Sequence, residues 1–410
     1  MPIEIRRVRE EELPAFIDAL STSFLERPDV ARLASEVVQL WDLDRTWAAL
    51  DEGRVCGTFR SWATELTVPG LARLPAAAVA AVSVRPTHRR RGILRQMVAA
   101  DHAAARERGE ALALLYASEY PIYGRFGYGS AVRWATWTVD THRTGFHGEP
   151  VGGVSIESID EALRDELRAV FERWRLQQPG EIRRRDFRWN FDLGLREEPW
   201  GPKRWKGFVA VHRDAAGAID GYARYRAEQK FEQGQPRGTI ELDDLHALTD
   251  DAYAALWRLL AETDWVATIK AEGRSPSERL PWLLTNPRAA RVEEVLDGLW
   301  VRIFDVPRAL AARSYERAGR LVIEVVDEEA PGGRTRYALE ATPDGATCRA
   351  TDESAELTVH VSALGAAYLG GVRLRDAVLA RGLEEHRPGA LAEADSLFRT
   401  AEEPVCTTFF

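Results

Sequence analysis

The feature that most constrains the fold of this chain is the stretch PAAAVAAVSVRPTHRRRGILRQM, residues 75–97. An apolar run ends before Pro86, an arginine-rich turn with Gly92 follows, and apolar residues then recur on one helical face: Leu94, Met97, Val98 and Ala105. Gly109 stands where such a helix would stop, and the buried-type strand ALALLYAS comes next. Strand, turn, helix and strand in this order predict an α/β or α+β domain.

The turn itself has two interpretations. By itself, RRRG is typical of a solvated surface turn. At a strand-to-helix junction, however, a glycine lets the backbone come close to a ligand, and the helix start offers free N–H groups and positive charge to an anion. Surface charge alone would not require Gly92 at this position, so the sequence favours an anion-binding loop.

The pattern divides the chain into three pieces. Residues 1–145 contain strand, helix, two or more strands, helix and strand, and the same order recurs over 146–300, which predicts a second copy of the domain. Over 301–410 the segments RLVIEVVDE, TRYALEAT, ATCRAT and AELTVHVS alternate as a small antiparallel sheet, and ALGAAYLG and LRDAVLARGLE are helical. The sequence therefore predicts an α/β (α+β) protein with three packed domains, 1–145, 146–300 and 301–410.

Composition excludes several classes of function. The 410-residue chain carries a formal net charge of −9, so we expect no nucleic-acid partner, because general affinity for polyanions comes from neutralising many phosphates. The three cysteines lie far apart and the eight histidines form no metal-spaced cluster, so we predict no disulfide framework and no metal. No apolar stretch has membrane-spanning length, and the amino terminus lacks a secretory apolar segment, so we expect a cytoplasmic protein with no membrane partner.

Three separated blocks resemble a known family. RRRGIL, residues 89–94, resembles the acyl-CoA pyrophosphate loop of the GNAT acetyltransferases, whose pattern is Arg or Gln, two residues, Gly, any residue, then Gly or Ala. Leu94 departs from the final small residue, and VRPTHRRRGIL as a block is similar to one branch, the Eis-type (enhanced intracellular survival) N-acetyltransferases. The segment IYGRFGYG and the carboxyl-terminal PVCTTFF resemble the same branch.

The resemblance implies an acetyl-CoA-dependent N-acetyltransferase. Its fold would be two tandem GNAT-like domains and a domain like a sterol carrier protein, which delivers the carboxyl terminus to the active site. Members of the family assemble as hexamers, so a homo-oligomer is expected. The second GNAT copy carries ELDDLHALTDD where its phosphate loop should lie, and four carboxylates would repel a pyrophosphate: Asp243, Asp244, Asp250 and Asp251. One active site per chain is therefore predicted.

The resemblance also implies a set of acetyl-CoA contacts. These are the backbone of Val82, Ser83 and Val84 for the pantetheine arm, Arg89, Arg90, Arg91, Gly92, Ile93, Leu94 and Arg95 for the pyrophosphate, and Ser118 and Glu119 just past the next strand. The side chains of Val82 and Val84 are equally typical of a core, and a helix N-cap explains Ser118 almost as well.

Two catalytic residues follow from the resemblance. Tyr123, four residues before Gly127, matches the tyrosine that protonates the departing thiolate of CoA; a purely structural tyrosine is the alternative. Phe410 would act through its α-carboxylate, accepting the amine's proton through water, because a reference pKa of about 3.5 makes it a weak direct base. A frayed terminus is the alternative, although two terminal aromatic residues favour burial.

The acceptor predicted by resemblance is an amine on a polycationic small molecule such as an aminoglycoside, acetylated at several positions. Acidic and aromatic residues that could form the walls of such a site are Phe24, Glu26, Trp41 and Asp297, although each could instead belong to the core. Two rival functions stay open at this point: a protein lysine N-acetyltransferase, and a lipid-binding or scaffold protein without catalysis.

Overall fold

The computed structural model describes residues 3–200, 204–380 and 382–410. The first segment of the chain holds six strands and four helices: β1 Glu4–Arg7, α1 Leu13–Ser23, α2 Val30–Val37, β2 Thr46–Asp51, β3 Arg54–Thr67, β4 Arg73–Val84, α3 Ile93–Glu107, β5 Leu112–Tyr116, α4 Tyr120–Tyr123 and β6 Gly129–Ser130. The first helix, α1, buries Phe16 completely and ends before Phe24.

The middle of the chain begins with a strand that the sequence pattern did not separate from the first domain. Its elements are β7 Arg133–Asp140, β8 Gly153–Glu157, α5 Glu161–Arg175, α6 Asp186–Asp192, β9 Phe208–Arg213, β10 Ile219–Glu228, β11 Phe231–Glu232, β12 Gln235–Pro236, β13 Gly238–Ala247, α7 Asp250–Ala261, β14 Val266–Arg274, α8 Leu280–Leu283 and β15 Ala290–Asp297. The recurrence of strand, helix, strands, helix and strand that the sequence predicts is present.

The last segment is mixed. It contains β16 Leu299–Ile303, α9 Val306–Ala312, β17 Gly319–Val326, β18 Arg334–Thr342, β19 Gly345–Ala350, β20 Leu357–His360, α10 Val361–Ala367, α11 Leu374–Ala377, β21 Leu383–Glu385 and α12 Ala390–Phe398. The fold class predicted from the sequence, a mixed α/β chain with two similar sheets and a smaller third one, is confirmed.

The strand orders show an exchange that sequence patterns do not reveal. The first sheet runs β1-β2-β3-β4-β5-β16-β6, and the second runs β15-β7-β14-β13-β10-β9-β8. β16 pairs antiparallel with β5 and so completes the first sheet from a position far along the chain. β7, although it directly follows the first segment, lies between β15 and β14 in the second sheet.

The chain forms two compact units. One contains Met1–Val132, Leu299–Glu402 and Phe409–Phe410, and the other contains Arg133–Gly298 and Glu403–Thr408. The predicted boundaries 1–145, 146–300 and 301–410 stay a prediction about separately folding domains. Among the described residues, no helix is long and apolar enough to cross a membrane.

The small sheet of the last segment corrects one expectation. It has five strands in the order β19-β18-β17-β20-β21, and β20 runs parallel to β17. The sheet is therefore mixed and not antiparallel, because alternation of apolar residues gives no strand direction. The helix predicted over LRDAVLARGLE is shorter in the structure, where α11 spans Leu374–Ala377 and a short 3-10 turn follows. Arg381 of this segment lies outside the described residues.

Candidate active site

The site begins where two parallel strands stop pairing. β4 and β5 pair from Ala76 opposite Leu112 to Val79 opposite Leu115, and each strand continues beyond the last pair. Beyond the last pair, the two strands separate toward their carboxyl ends. In sheets of this kind, an opening at the carboxyl ends of parallel strands is where ligands bind.

A bulge in β4 faces this opening. Ala81 has φ 52°, and the register between β3 and β4 shifts there, between Thr58 and Arg60. The buried Thr58 hydroxyl lies 2.8 Å from the carbonyl oxygen of Ala81 and 2.8 Å from the hydroxyl of Ser83. A positive φ at a residue with a Cβ costs about 1 kcal/mol or more, so these bonds hold a strained backbone in place.

The opening contains a cavity of about 230 Å³. Its lining is mostly apolar and includes Phe24, Val79, Ala80, Ala81, Val82, Tyr116, Ala117, Ser118, Tyr123, Phe409 and Phe410. Five positions singled out from the sequence are thereby brought together: Phe24, Val82, Ser118, Tyr123 and Phe410.

Tyr123 ends the short helix α4, and only 5% of its surface is exposed. Burial raises the pKa of its phenol to about 12; a hydrogen bond with Ser118 opposes the rise, and the negative charge of Glu119 adds to it. The hydroxyl is therefore protonated at neutral pH and can donate a hydrogen bond or a proton. Its ring packs edge to face on Tyr128, with centroids 6.1 Å apart.

The chain ends in the same cavity. The ring of Phe410 packs edge to face on Trp62 at 4.9 Å and on Tyr116 at 5.0 Å, measured between ring centroids. Phe409 also packs on Tyr116, at 5.0 Å, although 60% of its surface is exposed. Contacts between aromatic rings of this geometry are worth about 0.5–1.5 kcal/mol each beyond their buried area. They hold Phe410 in the lining of the cavity that Tyr123 also lines.

The arginine-rich turn lies directly before α3. Gly92 is the N-cap residue of this helix with φ 75°, and it offers no side-chain cap. A Cβ built at Gly92 would meet no heavy atom within 4 Å, so the space beside it is open. The first backbone hydrogen bond of the helix runs from Gln96 N to the Gly92 oxygen at 3.2 Å. A start of this kind presents its first amide groups and the positive end of the helix dipole to an anion.

The side chains of the turn divide into two groups. Arg91 donates to Asp51 at 2.8 Å, and the His88 ring lies 3.3 Å from the same carboxylate. The hydrogen bond from Arg91 lowers the pKa of Asp51. Arg89 and Arg90 are exposed, and Arg90 has φ 64°, a left-handed conformation that projects the turn outward. Exposed guanidinium groups around an open glycine can add charge at the periphery of a phosphate.

The remaining predicted cofactor contacts have mixed environments. Ser83 is buried and its hydroxyl bonds Thr58, so its side chain supports the bulge. Val82 and Val84 pack against the core of the first sheet, as Ile93 and the half-buried Leu94 do from α3. The side chains of these five residues are thus engaged in the core or in the bulge, and their roles as cofactor contacts stay predictions. The side chain of Arg95, in the first turn of α3, is exposed.

Three residues predicted to contact the acceptor are not among those that line the cavity: Glu26, Trp41 and Asp297. Glu26 is exposed just beyond α1 and does not line the cavity. Trp41 packs on Phe16 at 5.9 Å and beneath the Arg60 guanidinium at 4.5 Å, which is a core position. Asp297 ends β15 in the second unit, opposite Arg133. The roles of Glu26, Trp41 and Asp297 stay predictions.

The structure adds a polar network that sequence analysis missed. His102, fully buried in α3, lies 3.0 Å from the hydroxyl of Tyr128 and 2.9 Å from Glu329. Arg302 donates to Asp327 at 2.7 Å beside it. The network holds Tyr128, and through it the packing of Tyr123. A lone histidine in an apolar helical face was its only sequence signal.

The second sheet has the corresponding strand-to-helix junction, with different chemistry. Thr249 caps α7 and accepts a hydrogen bond from Ala252 N. Asp250 and Asp251 occupy the first turn, so this helix start is capped and negatively charged. The sequence suggested that Asp243 and Asp244 lie in a loop, and the structure does not place them there. They lie in β13, where arginines hold them: Arg226 binds Asp243, and Arg184 and Arg224 bind Asp244.

The cavity thus brings together the phenol of Tyr123, the bulged strand β4 and Phe410, and α3 starts at Gly92 without a side-chain cap. No metal-binding group of three His, Cys, Asp or Glu side chains occurs in residues 3–200, 204–380 and 382–410.

Comparison with known proteins gives a consistent result over the whole chain. Models described as acetyltransferase (GNAT) domains match residues 4–131 and 180–303, and a sterol carrier protein domain matches 306–407. A Streptomyces avermitilis protein named as an uncharacterized N-acetyltransferase is 41% identical over 418 residues, covering 100% of this chain and 99% of its own. N-acetyltransferase Eis of Mycobacterium tuberculosis is 38% identical over 353 residues, covering 84% and 83%.

Comparison with solved structures supports the same family. The crystal structure of Eis1 from Mycobacterium abscessus matches with a TM-score of 0.86 and 33% identity over 100% of both chains. A GCN5-related N-acetyltransferase from Anabaena variabilis matches with a TM-score of 0.83 at 18% identity, also over 100% of both chains, and supports the fold alone. The GNAT fold implies acetyl-CoA as the acyl donor. The chain belongs to the Eis-type family of GNAT N-acetyltransferases and is an acyltransferase with two GNAT domains and a C-terminal sterol-carrier-like domain.

Proposed function

We propose that this enzyme transfers acetyl from acetyl-CoA to amines of polycationic small molecules such as aminoglycosides, at one position or at several. The observation that carries the proposal is the cavity of about 230 Å³ at the parting of β4 and β5, which Tyr123 and Phe410 both line. A proton donor and the end of the chain meet there in a small, mostly apolar space, in which electrostatic interactions are stronger than in water.

The two residues have complementary roles in direct transfer. The amine nitrogen forms a bond to the thioester carbonyl carbon, and the C–S bond breaks, so a proton leaves the nitrogen and the sulfur gains one. Tyr123, protonated because burial raises its pKa to about 12, gives its proton to the leaving thiolate. The α-carboxylate of Phe410 accepts the amine's proton through water, since its own reference pKa is about 3.5.

The bulged strand and the helix start hold the donor. The bulged backbone at Ala81 lines the opening together with Ala80 and Val82, and an extended pantetheine arm would pair beside β4 as an additional strand, with Val82, Ser83 and Val84 as its partners. The open glycine and the uncapped start of α3 suit a pyrophosphate, with Arg89, Arg90 and Arg95 around it. Ser118 and Glu119 are proposed as further contacts on this side.

Support for a cationic acceptor comes from the cavity walls. Five aromatic rings line it, and aromatic faces attract ammonium groups: Phe24, Tyr116, Tyr123, Phe409 and Phe410. The terminal carboxylate adds negative charge, and the chain as a whole carries −9, which favours approach of a polycation. Glu26, Trp41 and Asp297 are kept as proposed contacts of a larger substrate.

A panel of acceptors tests the substrate class. Initial rates of CoA release are measured with several aminoglycosides, with a lysine-containing peptide, and with a sugar of similar size that has no amine. The masses of the products are determined by mass spectrometry. We expect mass gains of one or more acetyl groups on the aminoglycosides and none on the sugar. A larger kcat/KM for the peptide than for every aminoglycoside would contradict the proposal and favour a protein lysine acetyltransferase.

Two further properties are proposed on the family resemblance. The enzyme is a homohexamer, and it works in the cytoplasm, where the free thiols of Cys56, Cys348 and Cys406 remain reduced. Light scattering coupled to gel filtration measures the assembly: a mass six times that of one chain is expected, and a monomer would contradict it. Fractionation of the producing cell tests the compartment.

A further inference from the structure

A buried carboxylate holds the chain just before its carboxyl terminus. Glu181, between α5 and α6, is fully buried, and its Oε2 accepts hydrogen bonds from Thr407 N at 2.7 Å and from the Thr407 hydroxyl at 2.8 Å. Its Oε1 accepts from Thr408 N at 3.3 Å, from Cys406 Sγ at 3.5 Å and from the adjacent Ile182 N at 3.0 Å. Both carboxyl oxygens of Glu181 therefore bind the segment that precedes the carboxyl terminus.

A histidine extends this arrangement. The Thr407 hydroxyl gives its proton to Glu181 and therefore accepts from Nε2 of His246, which lies 3.0 Å away. Complete burial lowers the pKa of His246 to about 3, so its ring is neutral, and the proton resides on Nε2. Nδ1 of the ring is buried without a partner among the described residues. His246, Thr407 and Glu181 thus form a directional chain of hydrogen bonds that fixes the threonine rotamer.

The backbone beside Glu181 is shaped to receive the same segment. Gly180 has φ 97°, and a Cβ built there would lie 2.9 Å from the carbonyl oxygen of Val405 and 3.0 Å from its nitrogen. Val405 N donates to the Pro179 oxygen at 2.9 Å, and Trp134 Nε1 donates to the Cys406 oxygen at 2.7 Å. The segment 403–408 is therefore held by backbone, indole and carboxylate contacts together.

We propose that Glu181 is a positioning residue for acetyl transfer: it fixes residues 406–408 and so limits where the terminal carboxylate of Phe410 can lie. Two peptide bonds join Thr408 to Phe410, and each residue extends the chain by at most about 3.6 Å. An anchor at Thr407 and Thr408 therefore restricts the carboxylate to a small volume, as preorganised catalysis requires. The inference rests on the proposed role of Phe410.

A double-mutant cycle tests the coupling. The forms compared are wild type, Glu181→Ala, a form lacking Phe410, and the combination of both changes. We expect Glu181→Ala to lower kcat at least about tenfold with KM for acetyl-CoA within about twofold, and to change kcat less than about twofold once Phe410 is absent. A similar loss in both backgrounds would overturn the proposal, because Glu181 would then act independently of the terminus. No loss in the full-length chain would overturn it also.

A second readout does not depend on activity. Carboxypeptidase is added to the whole native protein, and release of the terminal phenylalanines is timed. Glu181→Ala is expected to release them at least about tenfold faster than wild type, because the anchor no longer opposes local opening. The matched control is Asp220→Asn, which alters a buried acid bonded to His212 and Thr249 and not to the tail; it is expected to release them at the wild-type rate.

The outcomes separate the two proposals. If removal of Phe410 alone leaves turnover unchanged, the proposed role of Phe410 fails, and the carboxypeptidase rates still decide whether Glu181 anchors the tail. Equal release from Glu181→Ala and wild type overturns the anchor. If Glu181→Ala does not fold, Thr407→Val takes its place, because it keeps the shape of the side chain and removes the hydroxyl between Glu181 and His246.

Discussion

Phe410 packs edge to face on Tyr116, with ring centroids 5.0 Å apart, at the wall of the cavity that Tyr123 also lines. The last side chain of the protein is therefore docked and not frayed. Tyr116 ends β5, one of the two strands whose parting opens the cavity. The contact supports the proposal that the carboxylate of Phe410 takes part in the reaction.

Tyr123→Phe is expected to lower kcat by about 10²-fold, with KM for acetyl-CoA little changed, because the ring still packs and only the proton donor is lost. Tyr120→Phe is the matched control. It lies on the same short helix, is 64% exposed and packs on Trp300, so its removal of a hydroxyl should leave kcat within about twofold. Equal effects of the two changes would contradict the assignment.

The pH profile checks the same residue. Burial raises the pKa of Tyr123 to about 12, so its proton is present at every pH below that value and lost only above it. The wild-type rate should rise as the acceptor amine deprotonates and then stay level to about pH 10. A falling limb below pH 10 that disappears in Tyr123→Phe would contradict a phenol that stays protonated over this range.

Extension of the chain tests the position of the carboxylate separately from the rings. One alanine added after Phe410 keeps both terminal rings and moves the carboxylate by up to about 3.6 Å. We expect kcat to fall at least about tenfold, since a misplaced general base loses most of its effect. Phe410→Leu, which keeps the carboxylate in place and an apolar side chain, should lose less. The opposite ranking would show that the ring matters more than the charge.

Gly92→Val should raise KM for acetyl-CoA at least about fivefold with little change in kcat, because a β-branched residue disfavours φ 75° and crowds the helix start. The same helix supplies a matched control at its other end. Gly109 has φ 76° and also no heavy atom within 4 Å of a built Cβ, so Gly109→Val should cost similar stability without changing KM. A similar rise in KM in both variants would place the pyrophosphate elsewhere.

Thr58→Val tests the bulge at Ala81. The change keeps the shape of the side chain but leaves the Ser83 hydroxyl and the Ala81 carbonyl without their partner at 2.8 Å. Loss of a buried hydrogen bond costs about 1–3 kcal/mol, and we expect kcat/KM for acetyl-CoA to fall about tenfold as the strained backbone relaxes. Thr58→Ser, which restores the hydroxyl, should recover most of the activity; failure to do so would contradict the role of this bond.

Glu329 makes stability depend on pH. Partial burial raises its pKa, but the hydrogen bond from His102 and the charges of Arg302 and Arg106 outweigh burial and leave the pKa at about 2. A carboxyl pKa below its unfolded value of about 4.3 stabilises the fold above pH 4.3, and the gain is lost as pH falls toward 2.

Glu329→Gln should therefore lower the free energy of unfolding by about 1–2 kcal/mol at pH 7, after allowance for its partial exposure, and by about half as much at pH 3. Urea unfolding at both pH values measures the difference. Glu353→Gln, which alters an exposed pair with Arg320, is the control and should change little. A loss from Glu329→Gln that is the same at pH 3 and pH 7 would contradict the ionic origin.

Local patterns predicted the parts of the site that are local in the chain. The run from β4 through Gly92 into α3 is continuous, so its strand, turn and helix follow from periodicity and one glycine. The motif around Tyr123 was recognisable for the same reason. Apolar alternation also predicted four strands of the small sheet, β17 to β20, and erred on the direction of β20, which periodicity cannot specify.

Features that depend on distant parts of the chain were not predictable. The exchange of β7 and β16 between the sheets, the docking of Phe410 on Trp62, and the binding of residues 406–408 by Glu181 all join segments far apart in sequence. The role predicted for Trp41 stays a prediction, and the structure shows its partly buried ring packed on Phe16.

The most direct test of the central claim is the rate of CoA release with one aminoglycoside and saturating acetyl-CoA, for wild type, Tyr123→Phe and a form lacking Phe410. Both variants are expected to retain acetyl-CoA binding and to lose at least about tenfold in kcat. Wild-type turnover in both variants would contradict the roles assigned to the phenol of Tyr123 and the carboxylate of Phe410.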